Sequence, residues 1–598
     1  MADPKSDALP PEGDEQRLGF QLSMMWRAFL ASPVRNVLIG LAAAMVAVVV
    51  ATAIGQVVLN RWNRPFYDAI ERRDVPEFFH QLVIFAQIAV VLLLLNVGQT
   101  WLNQMIRLKL REGLTRDLIG VWMEPRRAFR LANAGAIGVN PDQRLHEDAR
   151  HLTDLCTDLG TGLLQATVLL VSFVSVLWSL TSGFVFHIGG SSFVIPGYMV
   201  WAAVIYAGTA SWLSWLVGRP LIKLNADRYA QEAELRFSLM RVNEHIDAIA
   251  LAGGEADEKR RLEVDLGAVL DATRKILWAF TRLTWVTSSY GWVSVVAPIV
   301  IASPVYFAGD ISFGGLMMAV GAFNQVHASL RWFVDNISSI TDWRATLLRV
   351  SAFRIGALRT DVLHQVEKRI EFFQADGQKM VFDHVRVASP GGATRLVDDH
   401  VEIMPGERVL VTGVPGAGKT LFFRVLAGLW PWGSGRIGMP QGETPTFVPR
   451  RPYLPPGTLR DVLCYPRGTE AFGQADLAQR LEEVGLSRLT GSLDRSARWE
   501  RELSDDEQRM LAFARLVLHK PRWVVIDEAL EAVDAETHRR MMAIWERDLA
   551  GTTIINIGRG DRNGHFFTRT VRLSRDPAGQ ILRPLRVATS KSVAAGGS

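Results

Sequence analysis

The sequence predicts an α-helical membrane domain of six transmembrane helices, joined to a soluble α/β domain that carries a phosphate-binding loop. Apolar residues make up 48% of the 598 residues and concentrate before about residue 340, in runs long enough to cross a bilayer. Beyond about residue 360, short β-branched strands alternate with helices and turns, which is the pattern of an α/β domain. There, a glycine-rich run follows one strand and opens a helix.

Composition excludes several other classes of protein. The chain has 66 basic and 61 acidic residues, and a net charge of +5 is too small for its length to indicate a nucleic-acid-binding surface. Two cysteines rule out a disulfide scaffold. A weakly charged chain of this length buries a core easily, so we expect disorder only in polar tails at 1–18 and 588–598.

The membrane region is predicted to cover 19–355. It begins with a short amphipathic segment, GFQLSMMWRAFLAS, which suits a helix at the membrane interface but is too short to cross. The predicted spans are 34–59, 79–103, 161–182, 196–218, 284–308 and 313–338. The segments between spans two and three and between spans four and five are rich in arginine, so both termini are predicted to be cytoplasmic. Their helical periodicity predicts that the spans continue into the cytoplasm as long helical hairpins.

The sixth predicted span carries polar residues on one helical face: Asn324, His327, Arg331 and Asp335. Polar groups inside a membrane are costly unless they face a bundle interior or water. One interpretation is therefore the wall of a hydrophilic cavity. The other is that Arg331 and Asp335 mark the point where the helix leaves the membrane.

The glycine-rich run follows the apolar strand 408–412 and precedes the apolar sequence LFFRVLAGL. Its residues are Gly413, Val414, Pro415, Gly416, Ala417, Gly418, Lys419 and Thr420. Glycines let successive backbone N–H groups converge on phosphate oxygens at a helix N-terminus, while Lys419 reaches the β- and γ-phosphates and Thr420 offers a hydroxyl to Mg²⁺. The predicted ligands are ATP and Mg²⁺.

A second element of this site is the sequence RWVVIDE, about 110 residues further on. It reads as a buried strand that ends in two acids. Asp527 fits a ligand of Mg²⁺, and Glu528 is placed to orient or polarise the attacking water in phosphoryl transfer.

On these motifs the chain resembles an ABC transporter half, with six spans in an exporter-like arrangement fused to a C-terminal nucleotide-binding domain. The resemblance implies a linker at 356–370 and a nucleotide-binding domain at 371–587. It further implies an ABC signature segment at Ser504, within WERELSDDEQRMLAFAR, a D-loop at Asp534 and a switch loop at Arg559, within GTTIINIGRG. Arg450, in FVPRRPY, stands at the position of the family's Q-loop glutamine.

Three further segments resemble the SbmA/BacA-related branch with a fused nucleotide-binding domain: LNRWNRPFYDAIERRD, NPDQRLHED and RPYLPPGTLRDVLCYP. That group is related to the peroxisomal fatty acyl-CoA transporters, and some of its members import peptides or cobalamin. The resemblance thus implies hydrophilic cargo and uptake.

The nucleotide site departs from the family pattern. Arginine replaces the Q-loop glutamine at Arg450 and the switch histidine at Arg559, and the signature glycine is missing, because Ser504 is followed by Asp505 and Asp506. One hypothesis is an ion pair between one of these arginines and one of these aspartates across a dimer. The alternatives are that Arg559 contacts the γ-phosphate, or that the changes are independent.

From these observations we expect an ATP-binding transporter of the bacterial inner membrane that takes up peptides, including antimicrobial peptides, or cobalamin, with slow ATP hydrolysis. The expected partner is a second half-transporter, as a homodimer or a heterodimer. Two alternatives stay open: a proton-driven or facilitated transporter that nucleotide regulates, and fatty acyl-CoA as the cargo.

Overall fold

The computed structural model describes residues 18–132, 141–181, 185–188, 191–359, 369–389, 392–529, 534–558 and 566–576. They form two compact units. One unit takes in the described residues of Met1–Trp122 and Asn140–Ile355, and the other those of Met123–Val139 and Gly356–Ser598. The second unit is therefore discontinuous along the chain.

Up to Arg359 the described elements are helices apart from one short hairpin. The helices are α1 (Leu18–Ala31), α2 (Arg35–Glu71), α3 (Val75–Trp122), α4 (Arg127–Ala132, in the second unit), α5 (Pro141–Gln143), α6 (Ala149–Thr181), α7 (Tyr198–Gly218), α8 (Pro220–Glu244), α9 (Ile246–Ala252), α10 (Glu255–Phe307), α11 (Phe313–Asp335) and α12 (Ile337–Arg359). A π-helical turn, Arg144–Asp148, joins α5 to α6. Strands β1 (Val185–Ile188) and β2 (Ser191–Val194) pair antiparallel.

In the described residues, five helical stretches are long and apolar enough to cross a membrane: Arg35–Glu71, Val75–Trp122, Pro141–Thr181, Tyr198–Glu244 and Glu255–Phe307. The sixth predicted span corresponds to α11. Its 23 residues reach about 34 Å, which is enough to cross a membrane, but α11 is more polar than the other five stretches. The predicted short helix before the first span is observed as α1, and α3 and α10 continue as helices well beyond the predicted spans.

Helix α11 lies inside the bundle, where it packs against α2, α6, α7 and α10. Phe323 and Val326 on α11 are fully buried in this core. Close approach to α2 depends on a glycine, since a Cβ on Gly321 would collide with the amide of Asn60. That amide donates a hydrogen bond to the Met318 carbonyl, at 3.1 Å.

The second unit is built on one large sheet. Its strands are β3 (Glu371–Gln374), β4 (Met380–Ser389), β5 (Gly392–Leu396), β6 (His400–Ile403), β7 (Arg408–Gly413), β8 (Gly433–Met439), β9 (Thr446–Val448), β12 (Trp523–Asp527), β13 (Thr553–Ile557) and β14 (Arg569–Asp576), while β10 (Gly457–Thr458) and β11 (Ser496–Ala497) form a separate pair. The sheet order is β3-β8-β4-β5-β14-β7-β13-β12-β9, with β6 beside β4. Strands β14, β7, β13, β12 and β9 run parallel to one another.

Helices cover this sheet on two faces. They are α13 (Lys419–Leu426), α14 (Leu459–Cys464), α15 (Gln474–Glu483), α16 (Trp499–Glu502), α17 (Asp505–His519) and α18 (Ala535–Asp548). Alternate residues of β12 serve the two faces, because side chains of a strand point to opposite sides in turn. Val524 and Ile526 join one hydrophobic core, and Trp523 and Val525 join the other. Both faces are thus buried, as expected for parallel strands.

Candidate nucleotide-binding site

Four neighbouring parallel strands, β7, β13, β12 and β9, end at the same edge of the sheet. Ligands of open α/β sheets bind beyond the carboxyl ends of such strands. The glycine-rich run follows β7, Asp527 is the last residue of β12, and Arg450 lies two residues beyond β9. Strand order therefore gathers residues that are more than 100 positions apart in the sequence.

The predicted phosphate loop leaves β7 at Gly413 and enters α13 at Lys419. Gly416 and Gly418 adopt left-handed φ angles of +81° and +85°, which glycine accepts without steric cost. A Cβ on Gly418 would also collide with the hydroxyl of the buried Thr394. This loop conformation, followed directly by the N-terminus of α13, is the type of backbone arrangement that binds anions.

Two acids follow one another at the end of β12. Asp527 is only 4% exposed, and its pKa is raised by burial and then by the charge of Glu528, against a hydrogen bond from Thr420. Within the described part of the chain, its Oδ1 atom is buried without a hydrogen-bond partner. An orphaned carboxylate oxygen beside a threonine hydroxyl is a donor set that suits Mg²⁺.

Glu528 is held in an unusual backbone conformation, with φ of +52°. Its N–H donates to the Ile557 carbonyl of β13 at 2.9 Å, which fixes the residue at the sheet edge. Its carboxylate faces two cations: Lys419 Nζ lies 3.6 Å from Oε1, and Arg450 Nη1 lies 3.7 Å from Oε2. A left-handed non-glycine residue at such a position is typical of functional sites.

The ABC signature segment places Ser504 at the N-cap of α17. Its hydroxyl accepts the N–H of Glu507 at 3.3 Å, and the Glu507 carboxylate accepts the N–H of Ser504 at 3.0 Å, which completes a capping box. Burial acts to raise the pKa of Glu507, but hydrogen bonds from Arg488 and Ser504 outweigh it and the pKa is lowered. Asp506 accepts from Arg509 of the same helix at 2.6 Å.

Asp534 caps the N-terminus of α18. Its carboxylate accepts the N–H groups of Glu536 and Thr537, at 2.9 and 3.0 Å, and the bond from Thr537 is the main cause of its lowered pKa. The remaining predicted site residue, Arg559, lies outside the described residues.

Two residues that support this site could not be identified from the sequence. Thr394 on β5 packs against Gly418, although nothing in its local sequence marks it. Arg515 on α17 donates to the carbonyls of Val462 at 2.7 Å and Tyr453 at 3.3 Å, which ties the signature helix to the segment that follows Arg450. Burial lowers the pKa of Arg515.

In the membrane unit, the polar residues of α11 vary in exposure. Asn324 is exposed and His327 is half-buried. The His327 ring lies 5.0 Å from the Tyr206 ring, and its Nε2 atom is buried without a hydrogen-bond partner in the described residues. Arg331 and Asp335 form an ion pair at 2.9 Å along the helix. The four residues thus lie along one helix, and two of them are paired with each other.

Comparison with known proteins bears on both units. The family model of ABC transporter transmembrane region 2 matches residues 26–307, and that of the ABC transporter domain matches residues 396–531. The chain is an ABC half-transporter. A half-transporter of this kind works in a membrane as a dimer, binds ATP and is an ABC-type ATPase coupled to transport.

Among similar proteins, the inner membrane ABC transporter ATP-binding protein YddA of Escherichia coli is 26% identical over 506 residues, which cover 84% of the half-transporter and 88% of YddA. Human ATP-binding cassette sub-family D member 3 is 25% identical over 516 residues, which cover 78% and 74% of the two chains. These similarities extend over both units.

A solved structure of a bacterial Atm1-family ABC exporter with ATP bound superposes with a TM-score of 0.70. It covers 92% of the half-transporter and 95% of the exporter at 16% identity, so the likeness concerns the fold. The predicted fold class, an exporter-like helical membrane domain fused to a P-loop α/β domain, is confirmed.

Proposed function

We propose that the half-transporter forms a homodimer in the bacterial inner membrane and uses ATP to take up hydrophilic solutes such as peptides, including antimicrobial peptides, or cobalamin. The observation that carries the proposal is the convergence of Lys419, Thr420, Asp527 and Glu528 at adjacent strand ends. These are the groups that phosphoryl transfer from ATP requires.

Each residue has a defined role in this proposal. Backbone N–H groups of the loop from Gly413 to Gly418 hold the phosphates, and Lys419 leaves Glu528 to meet them. Thr420 and the unpartnered oxygen of Asp527 hold Mg²⁺, which neutralises phosphate charge when it is bound. Glu528 orients the attacking water.

On the other side of the dimer, we assign Ser504 and Asp534 to the nucleotide of the partner subunit, as the resemblance implies, and Arg559 to the γ-phosphate or to the dimer contact. The two aspartates after Ser504 carry negative charge where the family presents glycine, and this favours slow hydrolysis. A heterodimer in which the partner supplies an intact signature is the alternative assembly.

The proposed cargo rests on α11. Asn324, His327, Arg331 and Asp335 give this helix a polar side that hydrocarbon would not tolerate, so we place a water-filled pathway beside it. Uptake, cytoplasmic termini and membership of the SbmA/BacA-related branch are parts of the same proposal. They rest on the three sequence segments and on the arginine-rich segments between spans.

The test is ATP hydrolysis and uptake by the protein reconstituted in liposomes. Lys419→Ala and Glu528→Gln should each lower ATP hydrolysis by about 10²-fold or more, as loss of a group that stabilises transition-state charge does, and uptake of a labelled peptide or of cobalamin should fall in parallel. Glu546→Gln, which changes an exposed carboxylate on α18, is the matched control and should leave both unchanged.

Uptake that survives in both variants would instead favour the second candidate function, in which nucleotide regulates a proton-driven or facilitated transporter. His327, half-buried within the bundle with an unpartnered nitrogen in the described residues, is the observation that favours it. Fatty acyl-CoA is the alternative cargo, supported by the sub-family D relatives and by the cationic Arg331. A labelled acyl-CoA therefore belongs in the uptake assay.

A further inference from the structure

The carboxylate of Glu528 is flanked on both sides by positive charge. One oxygen faces Lys419 Nζ at 3.6 Å, and the other faces Arg450 Nη1 at 3.7 Å. Because each cation lies beside a different oxygen of the carboxylate, each can pair with Glu528 without the other. The family places an uncharged glutamine where this chain has Arg450, so the second ion pair depends on a residue that departs from the family's pattern.

The two cations differ in how they are held. Lys419 is only 10% exposed and lies at the start of α13, where a phosphate would draw it away from Glu528. Arg450 is 63% exposed and stands on the loop after β9, so its guanidinium can swing without disturbing the sheet. Glu528 itself is 17% exposed, and solvent screens this pair only in part.

A carboxylate acts on water through its free lone pairs. When Lys419 turns to the phosphates, one oxygen of Glu528 is released. Arg450 still lies 3.7 Å from the other, in an ion pair that needs no phosphate because both partners belong to one chain. Arg450 is then the remaining cation beside the Glu528 carboxylate.

We propose that Arg450 is a restraining positioning residue: it holds Glu528 in a resting pair, and hydrolysis requires the guanidinium to leave. The proposal rests on the function proposed above, in which Glu528 orients the attacking water. It assigns the slow turnover proposed above in part to the Walker side of the site, which carries the phosphate loop, Asp527, Glu528 and Arg450, in addition to the aspartates of the ABC signature.

The first test compares steady-state ATP hydrolysis of the full-length reconstituted protein with that of three variants. Arg450→Gln restores the family residue and should raise kcat about threefold to fivefold, the range that loss of one exposed ion pair supplies, with KM for ATP unchanged within about twofold. Arg450→Lys keeps the charge and should stay near the wild-type kcat. Arg451→Gln removes the exposed neighbouring charge and is the matched control.

The second test needs no hydrolysis. Labelling of Glu528 by a carbodiimide, followed by mass spectrometry of the nucleotide-free protein, reports how freely its carboxylate reacts. Labelling should be faster in Arg450→Gln than in wild type, Arg450→Lys and Arg451→Gln. A merely structural role of Arg450 would not single out the charge in this way.

The proposal requires both changes. A lower kcat in Arg450→Gln, an unchanged kcat, or a higher kcat without faster labelling would each overturn it, while the function proposed above would stand as long as Lys419→Ala and Glu528→Gln abolish hydrolysis. If no form hydrolyses ATP, the proposed function fails and the restraining role of Arg450 fails with it; labelling then tests only whether Arg450 and Glu528 pair in the nucleotide-free protein.

Discussion

The Walker side and the signature side of the nucleotide site use their backbone donors in opposite ways. On the Walker side, Gly416 and Gly418 take left-handed φ angles, a loop conformation that can present backbone N–H groups to a phosphate. On the signature side, the capping box of Ser504 and Glu507 already engages the N–H group of Glu507 at the start of α17. Asp506 and Arg509 pair with each other besides.

This contrast teaches that sequence departures from a family need not be random loss. The signature side has Asp505 and Asp506 where the family presents glycine, and Asp506 pairs with Arg509 of its own helix. The phosphate loop and the two acids after β12 keep the family's residues, while Arg450, beside the catalytic candidate Glu528, and Arg559 depart from them. We therefore expect ATP binding and fast turnover to be separable properties of this chain.

The largest loss of activity is expected from a substitution that distorts the phosphate loop. Gly418→Ala places a Cβ against the hydroxyl of Thr394 and strains a left-handed backbone. We expect the backbone N–H groups of the phosphate loop to be displaced. We expect kcat/KM for ATP to fall about 10²-fold, the usual cost of misplacing binding groups by about 1 Å. Steady-state hydrolysis measures it.

Gly377→Ala is the matched control for that substitution. Gly377 has nearly the same φ, +81°, but open space where its Cβ would lie. It should therefore suffer the backbone strain without losing activity. An equal loss of kcat/KM in both variants would mean that strain alone, rather than the shape of the phosphate loop, governs the effect.

A smaller effect on activity is expected from substitutions on the signature side. Replacing Asp505 and Asp506 together by glycine restores the family's backbone and removes two negative charges, so we expect kcat to rise about threefold to tenfold. Asp505→Asn combined with Asp506→Asn removes the charge alone and should give part of the gain. A fall in dimer content on size-exclusion chromatography would instead favour the hypothesis of an ion pair across the dimer.

The smallest expected effect concerns stability. Burial raises the folded-state pKa of Asp527 above that of the unfolded chain, so its contribution to the free energy of unfolding is largest in acid and falls as pH rises through the folded-state pKa. Asp527→Asn should stabilise the nucleotide-free protein at neutral pH by about 0.5–2 kcal/mol, as removal of a functional compromise does.

Thermal unfolding at pH 7 and at pH 4 measures this difference. The gain should be present at pH 7, shrink at pH 4, and be accompanied by loss of the Mg²⁺-dependent rise in melting temperature that ATP produces in the wild type. A variant as stable as the wild type at both pH values would show that Asp527 is not strained by its burial.

Much of this site is readable from sequence because its key groups are local. The run from Gly413 to Thr420 carries its own strand, turn and helix signals, and Asp527 follows an unbroken apolar strand. The role of Thr394 and the pairing of Arg450 with Glu528 are not readable in this way. Each depends on which strands become neighbours, and strand order is a property of the whole sheet.

The same distinction holds for the membrane unit. Length and apolarity predict five of its spans directly, since hydrocarbon selects for both. Helix α11 is more polar, so its sequence resembles a membrane span less strongly. Its packing among α2, α6, α7 and α10 shows that it is a bundle helix.

By itself, then, the sequence determined the two units, the phosphate loop and the acids that follow β12, because these features follow from periodicity and from residue types at short spacing. Tertiary structure alone decided that residues 123–132 belong with the second unit and that Arg450 faces Glu528. Contacts between distant residues are set by the packing that minimises the free energy of the whole chain, and no short stretch of sequence contains that information.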